Sequence, residues 1–84
     1  MDSEIRLLFF STLRDIIGSD EVKYSIPETG ILVGDLLEQL FEKHEALAAW
    51  KDKLLIAVNC DYATADDSVS PGDEVAVMPP VQGG

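Results

Sequence analysis

A single stretch of this chain is patterned for an amphipathic helix, and most of the rest is patterned for short strands. Val33, Leu36, Leu37, Leu40 and Phe41 fall at i, i+3, i+4, i+7 and i+8, which places them on one continuous face of a helix. Asp35, Glu38, Gln39, Glu42 and Lys43 occupy the other side. The spacing predicts a helix over 33–43. Asp35 lies in its first turn, where the helix dipole favours a negative charge. Gly30-Ile31-Leu32 offers no side-chain acceptor just before Val33, so the helix start is weakly capped. Ala46 to Trp50 reads as a second, shorter helical turn, with Leu47 and Trp50 packing.

The flanking segments read as strands. Ile5-Arg6-Leu7-Leu8-Phe9-Phe10 is apolar on both faces toward its end. Ser11 to Ile17 follows as a short helical turn opened by a hydroxyl residue and closed by Gly18. Val22 to Ile26 alternates apolar and polar residues and stops at Pro27. Leu54 to Val58 is nearly all apolar, Asn59-Cys60-Asp61 is a turn, and Tyr62-Ala63 is a short strand. Residues 66–73 are rich in turn formers, and Glu74 to Met78 is the last strand, ended by Pro79-Pro80.

Two strands, one helix and then more strands make an α+β chain. One helix laid across one face of a mixed sheet of about five strands buries the apolar stripe most simply. The long connection between the first and last strands suits a parallel pairing of the two. This arrangement is the β-grasp, or ubiquitin-like, fold, expected over 1–78 with an extended tail over 79–84. Because one helix covers one sheet face only, alternation leaves an apolar patch on the other, around Leu8, Phe10, Leu55, Ala57 and Met78. Patches of that kind mark partner sites unless loops or the Trp50 segment cover them.

Composition narrows the function. The 84 residues fit one small domain, and 46% hydrophobic content supports a packed core. Six basic residues against sixteen acidic ones give a formal charge of -10. That balance argues against nucleic acid and against an anionic membrane surface, and it suits a basic partner surface. No apolar run approaches the ~20 residues needed to span a bilayer. The start, Met1-Asp2-Ser3-Glu4, carries no basic n-region or long apolar h-region, so a cytoplasmic setting is expected.

No internal constellation supports catalysis. His44 beside acidic residues reads as a helix C-terminal residue rather than a base. Cys60, the single cysteine, has no His or second Cys nearby and reads as a turn or packing residue. There is no metal-ligand spacing and no phosphate loop. The chemistry is expected at the tail. Pro79-Pro80 favours an extended backbone, and Pro79 to Gly84 can reach up to about 20 Å. Gly83-Gly84 has no Cβ and can thread a narrow channel. A free carboxylate, ionised above a pKa of ~3.5, is a poor electrophile. An acyl-adenylate made with ATP would activate it, and sulfur displacing AMP would leave a C-terminal thiocarboxylate, an anionic sulfur nucleophile.

Leu7-Leu8-Phe9-Phe10, Leu13-Arg14, Leu54 to Asn59 and above all Pro71 to Gly84 resemble the MoaD-type proteins, small subunits of molybdopterin synthase. The Gly-Asp-Glu-Val and Pro-Pro-Val-x-Gly-Gly blocks carry most of the specificity. The resemblance implies a sulfur carrier in molybdenum cofactor biosynthesis. The Gly84 carboxylate, next to Gly83, would be adenylated by an E1-like enzyme using ATP and loaded from a sulfur donor. The tail would then enter the synthase large subunit, in a heterotetramer, where sulfur passes to the pterin precursor. The small subunit would have no self-contained active site and would bind no cofactor of its own. Together with the apolar patch, the resemblance assigns Phe10, Arg14, Leu55, Met78, Pro79, Pro80, Val81 and Gln82 to the partner face. The chain departs from the pattern in having Met78 where relatives often carry an aromatic residue, and Leu32 where many carry a Thr or Ser before the helix. Three further readings stay open: a sulfur carrier of another pathway (thiamine, tRNA thiolation or cysteine synthesis), a ubiquitin-like protein modifier, and a non-catalytic interaction module.

Overall fold

The computed structural model describes residues 3–80. In chain order the elements are β1 (Glu4–Phe9), α1 (Thr12–Ile17), β2 (Glu21–Ser25), β3 (Ile31–Leu32), α2 (Val33–Lys43), α3 (Glu45–Ala48), β4 (Leu55–Val58), β5 (Asp61–Ala63), β6 (Ser68–Val69) and β7 (Glu74–Met78). The main sheet has five strands in the order β2-β1-β7-β4-β5. β1 and β7 pair in parallel, with Leu7 beside Val75 and Phe9 beside Val77, and the neighbouring pairs are antiparallel. The β-grasp expectation and the parallel pairing of first and last strands both hold.

The apolar stripe explains where the core lies. Ile5, Leu7 and Phe9 of β1 and Val75 and Val77 of β7 point to the same side of the sheet as Ile56 of β4. Leu36 and Leu40 of α2 pack onto them, with Leu37 and Phe41 half-buried at the edge. Leu13 of α1 and Leu47 of α3 are fully buried and close the ends of this layer. Trp50 packs against the core as well, so it leaves the opposite sheet face uncovered. Every fully buried side chain in the structure is apolar.

Three sequence expectations need correction. Ser11 does not cap α1: its φ is 54° and its side chain makes no capping hydrogen bond, so helix formation starts at Thr12. Gly18 does end that helix in the left-handed conformation. The first two strands each begin one residue earlier than the hydrophobic pattern suggests, because the ladder includes the exposed Glu4 and Glu21. Finally, the segment before α2 and the turn-rich 66–73 stretch each contribute a two-residue strand, β3 and β6, which pair with each other through Ile31–Val69 and Leu32–Ser68.

That small pairing solves the missing cap. The N–H of Val33 donates to the carbonyl of Asp67 at 2.8 Å, and the N–H of Gly34 donates to the carbonyl of Ala65 at 3.0 Å. Backbone carbonyls of the 65–67 loop therefore serve α2 in place of a Ser or Thr side chain. The loop can come this close because position 34 has no side chain: a Cβ there would lie 3.1 Å from the Ala65 Cβ. Gly30 completes the arrangement, with φ at +91° and its backbone against the Val69 carbonyl, where a Cβ would sit only 2.7 Å from the oxygen.

Gly30→Ala combines left-handed strain with a backbone clash, so it is expected to destabilise the protein by about 2–3 kcal/mol. Equilibrium urea unfolding measures this directly; an unchanged midpoint would contradict the close approach of β3 and β6.

Candidate functional site

The sheet face turned away from α2 is built from alternate residues of four strands. The register sets Leu8 beside Ala76, Ala76 beside Ala57, and Ala57 beside Tyr62, so one row crosses β1, β7, β4 and β5. A second row has Met78 beside Leu55, with Phe10 just past the end of β1. The two alanines sit at the centre of the first row, and large side chains stand around them. The result is a shallow depression of about 300 Å³ lined by Leu8, Phe10, Ala57, Cys60, Tyr62, Glu74, Ala76 and Met78. Phe10 is 45% exposed and Tyr62 77%, a large apolar presentation for so small a domain.

The apolar patch expected from alternation is therefore present on this face. Phe10 and Arg14 line a second depression together with Ser11 at the start of α1. Leu55 and Met78 are paired, and Pro79 and Pro80 continue from β7, half-buried. Val81, Gln82, Gly83 and Gly84 lie outside the described residues. The strand that leads into the tail is the middle strand of the sheet, held by β1 on one side and β4 on the other.

Polar contacts fix the other end of this face. Arg6 and Glu74 are neighbours across the β1–β7 pair, and the Arg6 guanidinium donates to the Glu74 carboxylate. Asn59 then ties the β4–β5 hairpin to the start of β7. Its backbone N–H donates to the Glu74 carbonyl at 2.8 Å, its Oδ1 accepts from the Glu74 N–H at 3.0 Å, and its Nδ2 donates to Asp73 Oδ1 at 3.0 Å. The second Asp73 oxygen accepts from the Ser70 N–H at 2.8 Å, so the carboxylate organises the turn before β7.

Tyr62 also lies on this outer face, a placement that the apolar pattern of the sequence does not give, although a signal for it exists. A two-residue Asn59-Cys60 loop between Val58 and Asp61 makes a tight hairpin, with both loop residues at positive φ, 51° and 74°. That geometry forces Tyr62 opposite Ala57 and hence onto the outer face. Cys60 is exposed at the hairpin tip, consistent with the turn role read from the sequence. His44 follows the last turn of α2, where its N–H donates to the Leu40 carbonyl at 2.9 Å. Among the described residues no helix is long and apolar enough to cross a membrane.

The ThiS family matches residues 7–84 of this chain. The molybdopterin synthase sulfur carrier subunit of Escherichia coli (strain K12) is 39% identical over 82 residues, covering 95% of this chain and 99% of that protein. Its counterpart in Homo sapiens is 30% identical over 84 residues, covering 96% and 94%. Among solved structures, small archaeal modifier protein 1 of Haloferax volcanii superposes with a TM-score of 0.81 at 26% identity, covering 94% of this chain and 99% of that one. A chain in the complex of subunits 1 and 2 of molybdopterin-converting factor from Helicobacter pylori 26695 superposes with a TM-score of 0.66 at 21% identity, covering 96% and 99%, and shares the fold.

Cys60 occupies a left-handed position that glycine fills without steric cost. Cys60→Gly is expected to raise stability by about 1 kcal/mol, read as a higher denaturation midpoint.

Proposed function

The chain belongs to the ThiS family, and on that footing we propose that it is the sulfur carrier subunit of a molybdopterin synthase. The observation that carries this reading is the 39% identity to the Escherichia coli carrier over 99% of that protein's length. The outer sheet face supports it. A carrier has to dock on other proteins, and this face offers an apolar, Ala-floored surface next to the strand from which the tail departs.

In this reading the chain supplies an acyl group and the partners supply the catalysis. The Gly84 carboxylate oxygen attacks the α-phosphorus of ATP on an E1-like enzyme, pyrophosphate leaves, and an acyl-adenylate forms. Reduced sulfur from a donor attacks the acyl carbon and expels AMP, leaving the thiocarboxylate. Gly83 and Gly84 pass through a narrow channel of the large subunit, where the thiocarboxylate sulfur displaces a leaving group from the pterin precursor, and water then cleaves the acyl–sulfur bond, leaving the sulfur on the precursor and restoring the Gly84 carboxylate. Cations of the large subunit position the two anions and offset the developing charge. The chain itself needs no bound cofactor. Leu8, Phe10, Leu55, Tyr62 and Met78 hold the carrier against the partner, Arg14 borders that surface, and Pro79, Pro80, Val81 and Gln82 lead the backbone into the channel. The chain's net charge of -10 favours the encounter with basic surfaces.

A second reading has a specific observation in its favour: the superposition on small archaeal modifier protein 1, at a TM-score of 0.81. A protein modifier would form an isopeptide bond between Gly84 and a lysine of another protein instead of carrying sulfur.

Deleting Gly84, or adding one residue after it, is expected to abolish molybdopterin formation in a reconstituted synthase while the fold and large-subunit binding persist. Intact-mass measurement after activation should show a gain of about 16 Da, one oxygen replaced by sulfur, as acyl activation requires. Lysine conjugates with no such gain would favour the modifier reading. Separately, Tyr62→Ala should weaken binding to the large subunit at least about tenfold, as for a buried interface anchor. Because the ring is 77% exposed in the free chain, stability should change by no more than about 0.5 kcal/mol.

A further inference from the structure

The sheet has a second feature to which the sulfur-carrier reading gives no role: the open edge formed by β2. The hydrogen bonds from Phe9 N–H to the Asp20 carbonyl (2.9 Å) and from Ile26 N–H to the Ser3 carbonyl (2.7 Å) set the phase of the β1–β2 ladder. In an antiparallel pair, alternate residues bond across the ladder and the rest point away. Val22 and Tyr24 therefore bond to β1, and the N–H and C=O groups of Glu21, Lys23 and Ser25 point outward. Among the described residues β2 is the last strand on its side, and no described strand meets them. The same phase is seen on the other side of β1, where Arg6 N–H donates to the Asp73 carbonyl at 3.0 Å.

Beside that edge runs a groove. Val22 and Tyr24 face the α2 side of the sheet, opposite Leu7 and Ile5. The Tyr24 hydroxyl donates to Gln39 Oε1 at 2.7 Å, and Lys43 Nζ lies 4.7 Å from the centre of the Tyr24 ring. Between β2 and the end of α2 this leaves a pocket of about 240 Å³. Its lining includes Ile17, Val22 and Leu40, with Lys43 and His44 on the α2 side. Among the described residues no Asp or Glu lines it, although the chain has sixteen of them. Past the Tyr24–Gln39 bond the surface turns acidic, with Asp35, Glu38 and Glu42.

We propose that the open β2 edge and this groove take up an extended segment of a partner protein as an added strand, apolar in its middle and acidic where it meets Lys43 and His44. The outward backbone groups of Glu21, Lys23 and Ser25 supply the ladder bonds. Alternate side chains of the segment enter the pocket beside Val22 and Leu40, and its acidic flank lies over the cations. The acidic stretch beyond Gln39 repels a segment that carries its acids at the other end, so the charge pattern fixes the direction of the added strand. This edge is the outermost strand on the β1 side of the sheet, whereas the apolar face is centred on β7 and β4, and the inference does not rest on the proposed sulfur chemistry.

The test uses the full chain, labelled with nitrogen-15, and a synthetic peptide of alternating valine and threonine with aspartates at one end. Amide exchange at Lys23 is expected to slow at least about tenfold on binding, as for a newly bonded strand amide, with resonance shifts at Lys43 and His44. Lys23→Pro removes the outward N–H at an edge position that tolerates proline, and should weaken the peptide at least about fivefold. A peptide N-methylated at alternate residues loses its own N–H donors to the outward carbonyls of β2, the complementary set of ladder bonds, and it should fail on the unmodified chain whether or not Lys23→Pro folds. Lys43→Glu should weaken the acidic peptide and spare one whose aspartates are replaced by asparagine. Equal binding by the N-methylated peptide would overturn the proposal. So would protection confined to Asp61 and Ala63 on the opposite edge, or protection of the β2 amides that rises with protein concentration in the absence of peptide.

Discussion

The structure depends on the parallel contact between β1 and β7. Residues near the two ends of the chain meet in the middle of the sheet, and everything between them has to be routed around that contact. A parallel pair cannot be joined by a tight turn, so the chain crosses over, and α2 is the crossing element. The helix packs on the core side and leaves the other side bare. The same contact places β7 between two neighbours, so the strand that leads into the tail is held on both sides.

The apolar outer face follows from this plan. A sheet covered on both faces would need a second layer that a chain of this length cannot build. The strands nevertheless carry apolar residues at outward positions, Leu8, Leu55 and Met78 among them. Alanine at the middle positions, Ala57 and Ala76, lowers the centre of the face and lets Phe10 and Tyr62 stand above it. The contour is a shallow seat with aromatic edges, suited to a partner that inserts a side chain of its own. The Arg6–Glu74 pair closes the end of the face far from the tail, where a charged pair on the surface costs little and contributes little.

Much of this could be read from the residues alone. The helix from Val33 to about Lys43 was legible because its five apolar positions have one periodicity and no competing one. The last strand was equally clear, bounded by Gly72-Asp73 on one side and two prolines on the other. What stayed hidden was tertiary in origin. The β3–β6 pair is two residues on each side, too short for a pattern to register. Its role in capping α2 depends on carbonyls of Ala65 and Asp67, which no local reading brings near Val33. Ser11 misled for the opposite reason: a hydroxyl residue in the right place promised a cap, but the abrupt exit from β1 forces its backbone to positive φ. Tyr62 escaped because three residues of strand cannot show alternation; only the two-residue hairpin preceding it sets its side. The tail was legible as chemistry, in Gly83 and Gly84, more than as structure.

The central position of β7 also has a consequence for synthesis. Because that strand follows every other strand of the sheet in the sequence and supplies the partner for both β1 and β4, the sheet cannot close on a nascent chain that is still short of Met78. Fragments from interrupted translation therefore lack the middle of the sheet as well as the arm, and are exposed to proteolysis before they can occupy a docking site. Only molecules that have acquired the root of the arm become durable, so the architecture itself discards copies truncated before β7.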